Sequence, residues 1–437
     1  MSVMGSTSDH RQTLLDRLAG ARRHTDDLFE IVRTEALYDR PIPERHRIVF
    51  YIGHLEAFDW NLIGRSHFKL EPFADTLDRL FAFGIDPVDG GLPDDPPSAW
   101  PSLTEVYAYR DRARAAVDGC LMGLDRDPDP ELADRFHVAI EHRLMHAETL
   151  AYMLHQLPYD RKRANPEAAS PAGRSTGGSV VIPAGTATLG RTRGQGFGWD
   201  NEFDAHAVAV PAFTIDLHAV TNRDFLAFVD GGGYERRALW DDAAWAWKEQ
   251  HGVRHPAFWR NGGAAGWQYV GMFSERALPL DAPAYVSQAE ASAFARTRGA
   301  TLPTEAEFHR AAFGTPDGAE REYPWGDSAP DPTRGNFDFA RWEPVAAGAY
   351  PAGDSGFGVA DLTGNGWEWT STRFAPFAGF AAFPFYPGYS ANFFDGHHFV
   401  MKGASARTAA CMLRRSFRNW FQPHYPYVYA KFRCVTR

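Results

Sequence analysis

Three histidines carry the clearest chemical signal in this sequence. His142 and His146 stand four residues apart in HRLMHAETL, and His54 lies in the earlier stretch YIGHLEAFDW. Residues i and i+4 of a helix point to nearly the same side, one turn apart, so these two imidazoles could face one point. Three neutral imidazoles leave further coordination positions open, which suits a catalytic metal ion. Because zinc accepts the same ligands, the histidines alone predict a metal site and leave the metal open.

The surroundings of His54 strengthen this interpretation. The chain has 17 histidines, and a pair spaced by one helical turn is more often a packed or surface pair than a metal site. The segment RIVFYIGHLEAFDWNLI is apolar at helical spacing, however, so a histidine amid Ile52, Leu55 and Phe58 faces a core rather than water. A buried imidazole needs a polar partner, and a metal shared with the other two histidines would be one.

Two segments of different character must position these residues. Before residue 160, four stretches carry apolar residues every three or four positions, which predicts an antiparallel four-helix bundle over 1–160. They are RQTLLDRLAGARRHTDDLFEIV, ERHRIVFYIGHLEAFDWNLIG, SLTEVYAYRDRARAAVDGCLMGL and ELADRFHVAIEHRLMHAETLAYMLHQL. The segment 161–178 is rich in Pro, Gly, Ser and charge and predicts a linker. Over 179–437, short β-type runs such as VVIPAGTATLG alternate with brief helices such as NRDFLAFV, which predicts an irregular α+β domain.

The composition excludes several classes of protein. With 437 residues, 44% of them hydrophobic, the chain is long enough for two or three packed domains and lacks a disorder signature. A formal charge of -10 without a basic stripe argues against nucleic acid as a partner. No apolar run approaches the roughly 18 residues of a membrane span, and the polar start MSVMGSTSDHRQ is not a signal peptide, so we expect a cytoplasmic protein that does not bind membranes. The three cysteines, Cys120, Cys411 and Cys434, predict no disulfide framework.

The order of motifs in both halves resembles a known family. The second half resembles the formylglycine-generating-enzyme and sulfatase-modifying-factor domain, a variant of the C-type lectin fold, through VVIPAGTATLG, WDNEF, AVTNRDFLAFV, LPTEAEFHRAA, YPWGD, GVADLTGNGWEWT and VMKGAS. The first half resembles a DinB-type four-helix bundle. Together they resemble the ergothioneine sulfoxide synthases (EgtB-like), non-haem iron enzymes that use O2 to join a sulfur donor to the imidazole ring of hercynine, which is trimethylated histidine. The resemblance implies Fe(II) rather than zinc.

The resemblance also implies a metal-ligand set. His54, His142 and His146 match the iron ligands of the family. Glu148 completes the HxxxHxE signature but projects away from His146 on a helix, so we expect it to support the site from outside the ligand set.

Residues of the second half match the substrate side of the family's active site. Tyr386 and Tyr389, in FPFYPGYS, match the region that holds the active-site tyrosine, and their order indicates Tyr386 as the catalytic one. Its phenol would donate a proton or a hydrogen atom. Asn419 and Trp420 match the pair that helps to hold hercynine, and the π face of Trp420 would attract the quaternary ammonium group.

Other motifs of the second half are interpreted as structural. GNGWEWT combines glycines, which permit tight turns, with tryptophans, which fill the core of a domain poor in regular structure. In LPTEAEFHRAA, Thr304 and Glu307 have the spacing of a capping box, which predicts a helix start. His309 on that helix is interpreted as packed or exposed rather than catalytic.

The sequence departs from the family where a peptide donor would bind. The loop IDPVDGGLPDDPPSAW has four aspartates and no arginine where the family has a basic stretch. Phe421 replaces an acidic residue, Tyr425 replaces an arginine, and Met145 stands where many relatives carry glutamine. Because arginine suits carboxylates, this less cationic and more aromatic pocket favours a neutral sugar. The selenoneine synthase branch (SenA type), whose donor is a selenosugar, is therefore favoured over synthases that use cysteine or γ-glutamylcysteine.

Three alternatives stay open. Arg414, Arg415 and Arg418 in the tail could bind a donor carboxylate from another direction. A formylglycine-generating oxidase would need a copper-binding cysteine pair, for which Cys411 and Cys434 are the candidates, 23 residues apart. A DinB-type zinc thiol transferase with a lectin-like binding module would contain zinc and consume no oxygen.

Overall fold

The computed structural model describes residues 7–82, 96–124, 127–165, 170–173 and 177–437. The chain divides into two compact units, Met1–Asn165 (unit 1) and Pro166–Arg437 (unit 2). Among the described residues, no helix combines the length and the apolar character that crossing a membrane requires.

Unit 1 is a bundle of α-helices. They are α1 (Thr7–Ile31), α2 (Ile48–Asp59), α3 (Asp75–Phe81), α4 (Leu103–Met122) and α5 (Pro130–His155). The four long helices are those predicted from apolar periodicity, and α2 continues into a π-helical turn over Trp60–Arg65. The short helix α3 was not predicted, because seven residues are too few to display a helical period.

Local sequence explains where the helices of unit 1 begin and how they pack. Ser102 and Glu105 form a capping box at the start of α4, and Asp129 caps α5, whose first residue is Pro130. Every residue of α2 except Phe58 is buried. An apolar helix of this kind belongs at the centre of a bundle, and α2 lies there, in contact with α3, α4 and α5.

The first residues of the predicted linker pack onto unit 1. Arg163 N donates to Ile31 O over 2.7 Å, and Lys162 Nζ donates to Leu154 O over 3.1 Å. Lys162 is only 3% exposed. Its ammonium group donates to a carbonyl in the last turn of α5, where a cation interacts favourably with the helix dipole. Residues 161–163 thus end the bundle, although their composition resembles that of a linker.

Unit 2 contains small sheets joined by long irregular segments. The strands are β1 (Ser179–Ile182), β2 (Gly185–Leu189), β3 (His206–Val210), β4 (Phe213–Asp216), β5 (Trp259–Asn261), β6 (Trp267–Val270), β7 (Glu275–Ala277), β8 (Gly366–Arg373), β9 (Phe399–Ala404), β10 (Asn419–Phe421), β11 (Ala430–Lys431) and β12 (Val435–Thr436). The sheet orders are β10-β9-β8-β11, β1-β4-β12, β5-β6-β7 and β2-β3. All neighbouring strands are antiparallel except β11 and β8, which are parallel.

Short capped helices complete unit 2. They are α6 (Asn222–Asp230), α7 (Asp242–Gln250), α8 (Gln288–Thr297) and α9 (Glu305–Phe313). At the start of α9, Thr304 and Glu307 form the predicted capping box. His309 on this helix is 2% exposed, so of the two placements expected for it, packed or exposed, the structure has the packed one.

The GNGWEWT motif has the structural role predicted for it. Trp369 is fully buried, and its indole N–H donates to Val286 O over 2.8 Å. The Asn365 side chain accepts from Val345 N and donates to Val345 O, both over 2.9 Å. These side-chain hydrogen bonds connect β8 and the residue before it to irregular segments, whose backbone groups are not paired in a sheet. The predicted fold class, a helical bundle followed by an α+β domain, is confirmed.

Candidate metal centre and aromatic cluster

The three histidines of unit 1 converge on one point. His54 comes from the middle of α2, and His142 and His146 come from successive turns of α5. One ring nitrogen from each lies within 4.8 Å of the other two, and the Nε2 atoms of His142 and His146 are 3.2 Å apart. All three side chains are buried. This geometry is the one that the i,i+4 spacing predicts for two metal ligands on one helix face.

Burial keeps these imidazoles neutral. It lowers the pKa of His54 to about 4, against the weaker opposing effect of a hydrogen bond to Phe81. It also holds the pKa of His142 and of His146 well below the usual range, and the neighbouring histidines and the Arg143 charge lower both further. Three neutral imidazoles at physiological pH have their lone pairs available for a metal.

The donor set fits a divalent transition metal. Within the part of the chain that the structure describes, Nε2 of His54 is buried and has no hydrogen-bond partner. Such an orphaned atom is costly unless something binds it, and a metal between the three rings would do so. A set of imidazole nitrogens suits iron and zinc alike. Among the described residues, Glu148 is not part of the group whose ligand atoms converge here. It is buried, however, and lies two residues after His146 in the sequence.

Aromatic rings and a backbone carbonyl fix the imidazoles. His54 Nδ1 lies 2.7 Å from Phe81 O, which makes this nitrogen the donor and leaves Nε2 for the metal. The Phe58 ring stacks on His142 with centroids 3.5 Å apart and planes 12° apart. The Phe50 ring stacks on His54 at 4.9 Å. Each ring therefore restricts the rotation of a ligand before any metal binds.

A buried charge network joins the helices that carry the ligands. Arg143 is fully buried on α5 and donates to both carboxylate oxygens of Glu56 at 2.9 Å and to Asp59 Oδ2 at 2.7 Å. Arg114 of α4 donates to the same Glu56 and, through two bonds, to Asp26 of α1. The network fixes α2 against α5, the two helices that carry the three histidines. Sequence reasoning missed it, although charged residues within the apolar stretches around His54 and His142 were a signal.

Unit 2 gathers the predicted substrate-side aromatics into one cluster. Tyr389 stacks on Trp199 with centroids 3.9 Å apart, lies 5.7 Å from the Tyr386 ring, and meets Trp420 edge-on at 5.4 Å. We call Trp199, Tyr386, Tyr389 and Trp420 the aromatic cluster. The prediction did not include Trp199, which the WDNEF motif contributes from a segment nearly 190 residues earlier in the chain than Tyr386.

Trp420 is partly covered by its neighbours. The Phe374 ring stacks on it with centroids 4.1 Å apart and planes 7° apart, and Phe393 lies at 5.6 Å. The Asn419 side chain accepts from Trp420 N over 2.9 Å. One π face of Trp420 is thus occupied by Phe374, so a cation could be attracted only by the face opposite it.

A buried aspartate ties the tyrosine segment to the WDNEF segment. Ser390 Oγ donates to Asp200 Oδ1 over 2.6 Å, and both residues are buried. Burial raises the pKa of Asp200, and the Ser390 hydroxyl opposes that effect. Since Ser390 follows Tyr389 directly, this bond restrains the loop that carries both tyrosines.

Comparison with known proteins places the whole chain in one family. The DinB superfamily matches residues 17–154, and the sulfatase-modifying factor enzyme 1-like domain matches residues 165–437. A hercynine oxygenase from Mycolicibacterium thermoresistibile is 34% identical over 96% of this chain and 94% of that protein. Another, from Mycolicibacterium smegmatis, is 34% identical over 94% of this chain and 96% of that protein. The chain belongs to the hercynine oxygenase family.

Membership of the hercynine oxygenase family confirms the predicted EgtB-like resemblance and the predicted pair of domain types. A more distant relative, ergothioneine biosynthesis protein 1 of Neurospora crassa, is 25% identical over 93% of this chain and 55% of that protein. The selenoneine synthase branch stays a prediction.

Two of the predicted departures from the family pattern lie against each other in unit 2. Phe421 and Tyr425 stack with centroids 5.2 Å apart and planes 17° apart, and Tyr427 meets Tyr425 edge-on at 5.2 Å. The two positions that the sequence analysis interprets as replacements of an acidic residue and an arginine therefore form one stacked aromatic pair. The two replacements form a single packing unit.

The tail arginines are each engaged by a glutamate. The pairs are Arg414 with Glu202, Arg415 with Glu320 and Arg418 with Glu305. The carboxylates of Glu202 and Glu305 are buried, and Arg418 is buried with Glu305, whereas Arg414 is half-buried. Breaking such a pair leaves a buried charge without compensation, so these arginines are poorly suited to bind a donor carboxylate.

The remaining predicted positions are placed as follows. Met145 is half-buried on α5, directly before His146. The four aspartates of the predicted donor loop lie outside the described residues.

Cys411 is exposed, whereas Cys434 is buried, and burial raises the pKa of its thiol to about 12. A protonated, buried thiol is a poor copper ligand, which disfavours the formylglycine-generating oxidase.

Proposed function

We propose that this protein is an Fe(II)- and O2-dependent oxidoreductase that forms a carbon–chalcogen bond on the imidazole ring of hercynine. The observation that carries the proposal is the buried cluster of His54, His142 and His146, in a chain that aligns over nearly its whole length with hercynine oxygenases. Iron is preferred to zinc because oxygen chemistry requires a metal with accessible redox states, which zinc lacks.

The residues of this chain have distinct roles in the proposed reaction. His54, His142 and His146 hold the metal, which when bound supplies a redox-active centre with open positions for O2 and substrates. Tyr386 donates a proton or a hydrogen atom from its phenol. Trp420 attracts the quaternary ammonium group of hercynine, and Tyr389 and Asn419 shape the same binding site. Holding the reactants together lowers the entropic cost of a three-component encounter.

The donor is proposed to be a neutral selenosugar. Support comes from the Phe421 and Tyr425 stack, since aromatic faces suit sugars, and from the engagement of the tail arginines by glutamates. Met145 contributes an apolar, polarisable side chain next to a metal ligand.

In the proposed reaction, a C–Se bond replaces the C–H bond of the hercynine imidazole and the Se–H bond of the donor. One oxygen atom of O2 remains on selenium, and the other leaves as water with the two hydrogen atoms. Cysteine or γ-glutamylcysteine as donor is the alternative within the same reaction class.

The function is tested with metal-free protein that is loaded anaerobically with Fe(II) and mixed with hercynine and a donor. Admission of air should consume O2 and give a product that mass spectrometry identifies as a hercynine conjugate. The Zn(II)-loaded protein and the His142→Ala variant are the controls, and both should be inactive. Oxygen-independent turnover by the Zn(II) form would instead identify a thiol transferase.

The donor is tested by competition in the same assay. A selenosugar, cysteine and γ-glutamylcysteine are supplied together, and the selenosugar product should dominate. Dominance of the γ-glutamylcysteine product would overturn the donor assignment while leaving the hercynine reaction intact. The Tyr425→Arg variant sharpens the result, because a new guanidinium group should shift the product ratio toward the carboxylate-bearing donor.

A further inference from the structure

Helix α3 approaches α2 at one position that only glycine can occupy. A Cβ atom on Gly53 would lie 2.4 Å from three carbon atoms of the Phe81 ring. Gly53 is in the interior of α2, where glycine lowers helix stability, so a packing reason is expected. The reason here is the Phe81 ring, which is fully buried against the bare backbone of α2.

The same Phe81 contacts the metal-ligand histidine next to Gly53. Its carbonyl oxygen accepts the hydrogen bond from His54 Nδ1 at 2.7 Å. Phe81 is the last residue of α3, where helix carbonyls lack intrahelical partners, so the bond satisfies both groups. It also fixes the tautomer and the plane of the imidazole, which directs Nε2 away from α3.

Helix α3 is itself fastened to α4. Tyr109 Oη donates to Asp78 Oδ1 over 2.7 Å, and the Tyr109 ring lies 5.5 Å from the Phe81 ring. The Phe81 carbonyl is therefore a fixed acceptor, held on one side by α4 and on the other by the close approach to Gly53.

We propose that Gly53 and Phe81 are positioning residues that set the metal affinity of the site by holding His54 in its ligating orientation. The inference rests on the proposed metal function of the three histidines. Gly53 permits the close approach of α3 to α2. This approach brings the Phe81 carbonyl within hydrogen-bond distance of the His54 imidazole and so orients that imidazole. A side chain at residue 53 would push α3 away and release His54 to rotate, while His142 and His146 on α5 would be unaffected.

The test is Co(II) binding to the metal-free, full-length protein, followed by the visible absorption of the bound ion. Gly53→Ala should weaken binding by about 10- to 100-fold, the cost of losing an outer partner of a ligand, and should change the Co(II) spectrum as one imidazole is lost. The matched control is Gly119→Ala in α4, where the added Cβ meets no atom within 4 Å, and whose affinity and spectrum should equal those of the wild type.

A second variant separates positioning from general destabilisation. In Gly53→Ala/Phe81→Leu a smaller apolar side chain replaces the ring that clashes and can still pack between α2 and α4, while the main-chain carbonyl remains, so binding should recover toward the wild-type value. Equal Co(II) affinity and an unchanged spectrum in Gly53→Ala would overturn the inference, as would a double variant that binds no better than the single one. If the wild type binds Co(II) no more tightly than His142→Ala, the metal site itself fails, which is a different result.

Discussion

The candidate metal centre of unit 1 and the aromatic cluster of unit 2 are built in opposite ways. The first uses two regular helices, whose geometry brings His142 and His146 to one face and fixes them there by buried contacts. The second collects rings from irregular segments around residues 199, 386 and 420, held by stacking and by the bond between Asp200 and Ser390. Ligand geometry is thus tied to the stability of the bundle, whereas the shape of the aromatic cluster depends on loops. Variants in unit 1 should therefore change metal binding or the stability of the bundle, whereas variants in the aromatic cluster should change turnover or substrate binding.

Removing a metal ligand should have the largest effect. His142→Ala leaves two imidazoles, so metal binding and turnover should both fall below detection, because the site loses a third of its protein ligands. Metal content by elemental analysis and product by mass spectrometry measure this. His137→Ala on the same helix is the control and should retain metal. Full turnover by His142→Ala would contradict the assignment of the centre.

Removal of the Tyr386 phenol should lower the turnover rate without changing the metal content. Tyr386→Phe is expected to lower turnover by about 10²- to 10⁴-fold, the usual contribution of a positioned acid, with unchanged metal content. Tyr389→Phe is the matched comparison, and its effect should be smaller because its ring acts mainly by stacking on Trp199. A larger loss in Tyr389→Phe would exchange the roles of the two tyrosines.

Breaking the charge network should destabilise unit 1 strongly. Arg143→Met leaves Glu56 and Asp59 buried with less compensation, and the free energy of unfolding should fall by about 3 to 5 kcal/mol. Chemical denaturation followed by circular dichroism measures it. Asp111→Asn alters a solvent-exposed ion pair with Arg110 and should change stability by less than about 0.5 kcal/mol. Similar values for the two variants would show that the network is not a stabilising element.

The smallest effect is expected at Trp420. Trp420→Leu removes one cation–π partner worth about 0.5 to 2 kcal/mol, so KM for hercynine should rise by about 2- to 30-fold with little change in kcat. Steady-state kinetics at saturating donor measures both constants. A fall in kcat at constant KM would mean that Trp420 acts in the chemical step instead of in binding.

The same contrast explains what the sequence could predict. Apolar periodicity and the i,i+4 spacing of His142 and His146 are local properties, so the long helices and the trio were predictable. The partners of the trio were not, because Phe81 O and Arg143 act through contacts between helices that no local pattern encodes. In unit 2, capping at Thr304 was predictable from spacing, whereas the stack of Trp199 on Tyr389 joins segments far apart in sequence. Family resemblance, not periodicity, pointed to Tyr386, Tyr389, Asn419 and Trp420.

The enclosure of α2 by the rest of the bundle has a kinetic consequence. A helix covered on nearly every side cannot fray residue by residue, since its amides reach solvent only when the surrounding helices separate. Its amide protons should therefore exchange with deuterium more slowly than those of α3 or of the exposed face of α4. His54 would then sit in a strongly protected segment of unit 1, and thermal fluctuations that open the periphery would leave its Nε2 atom in place.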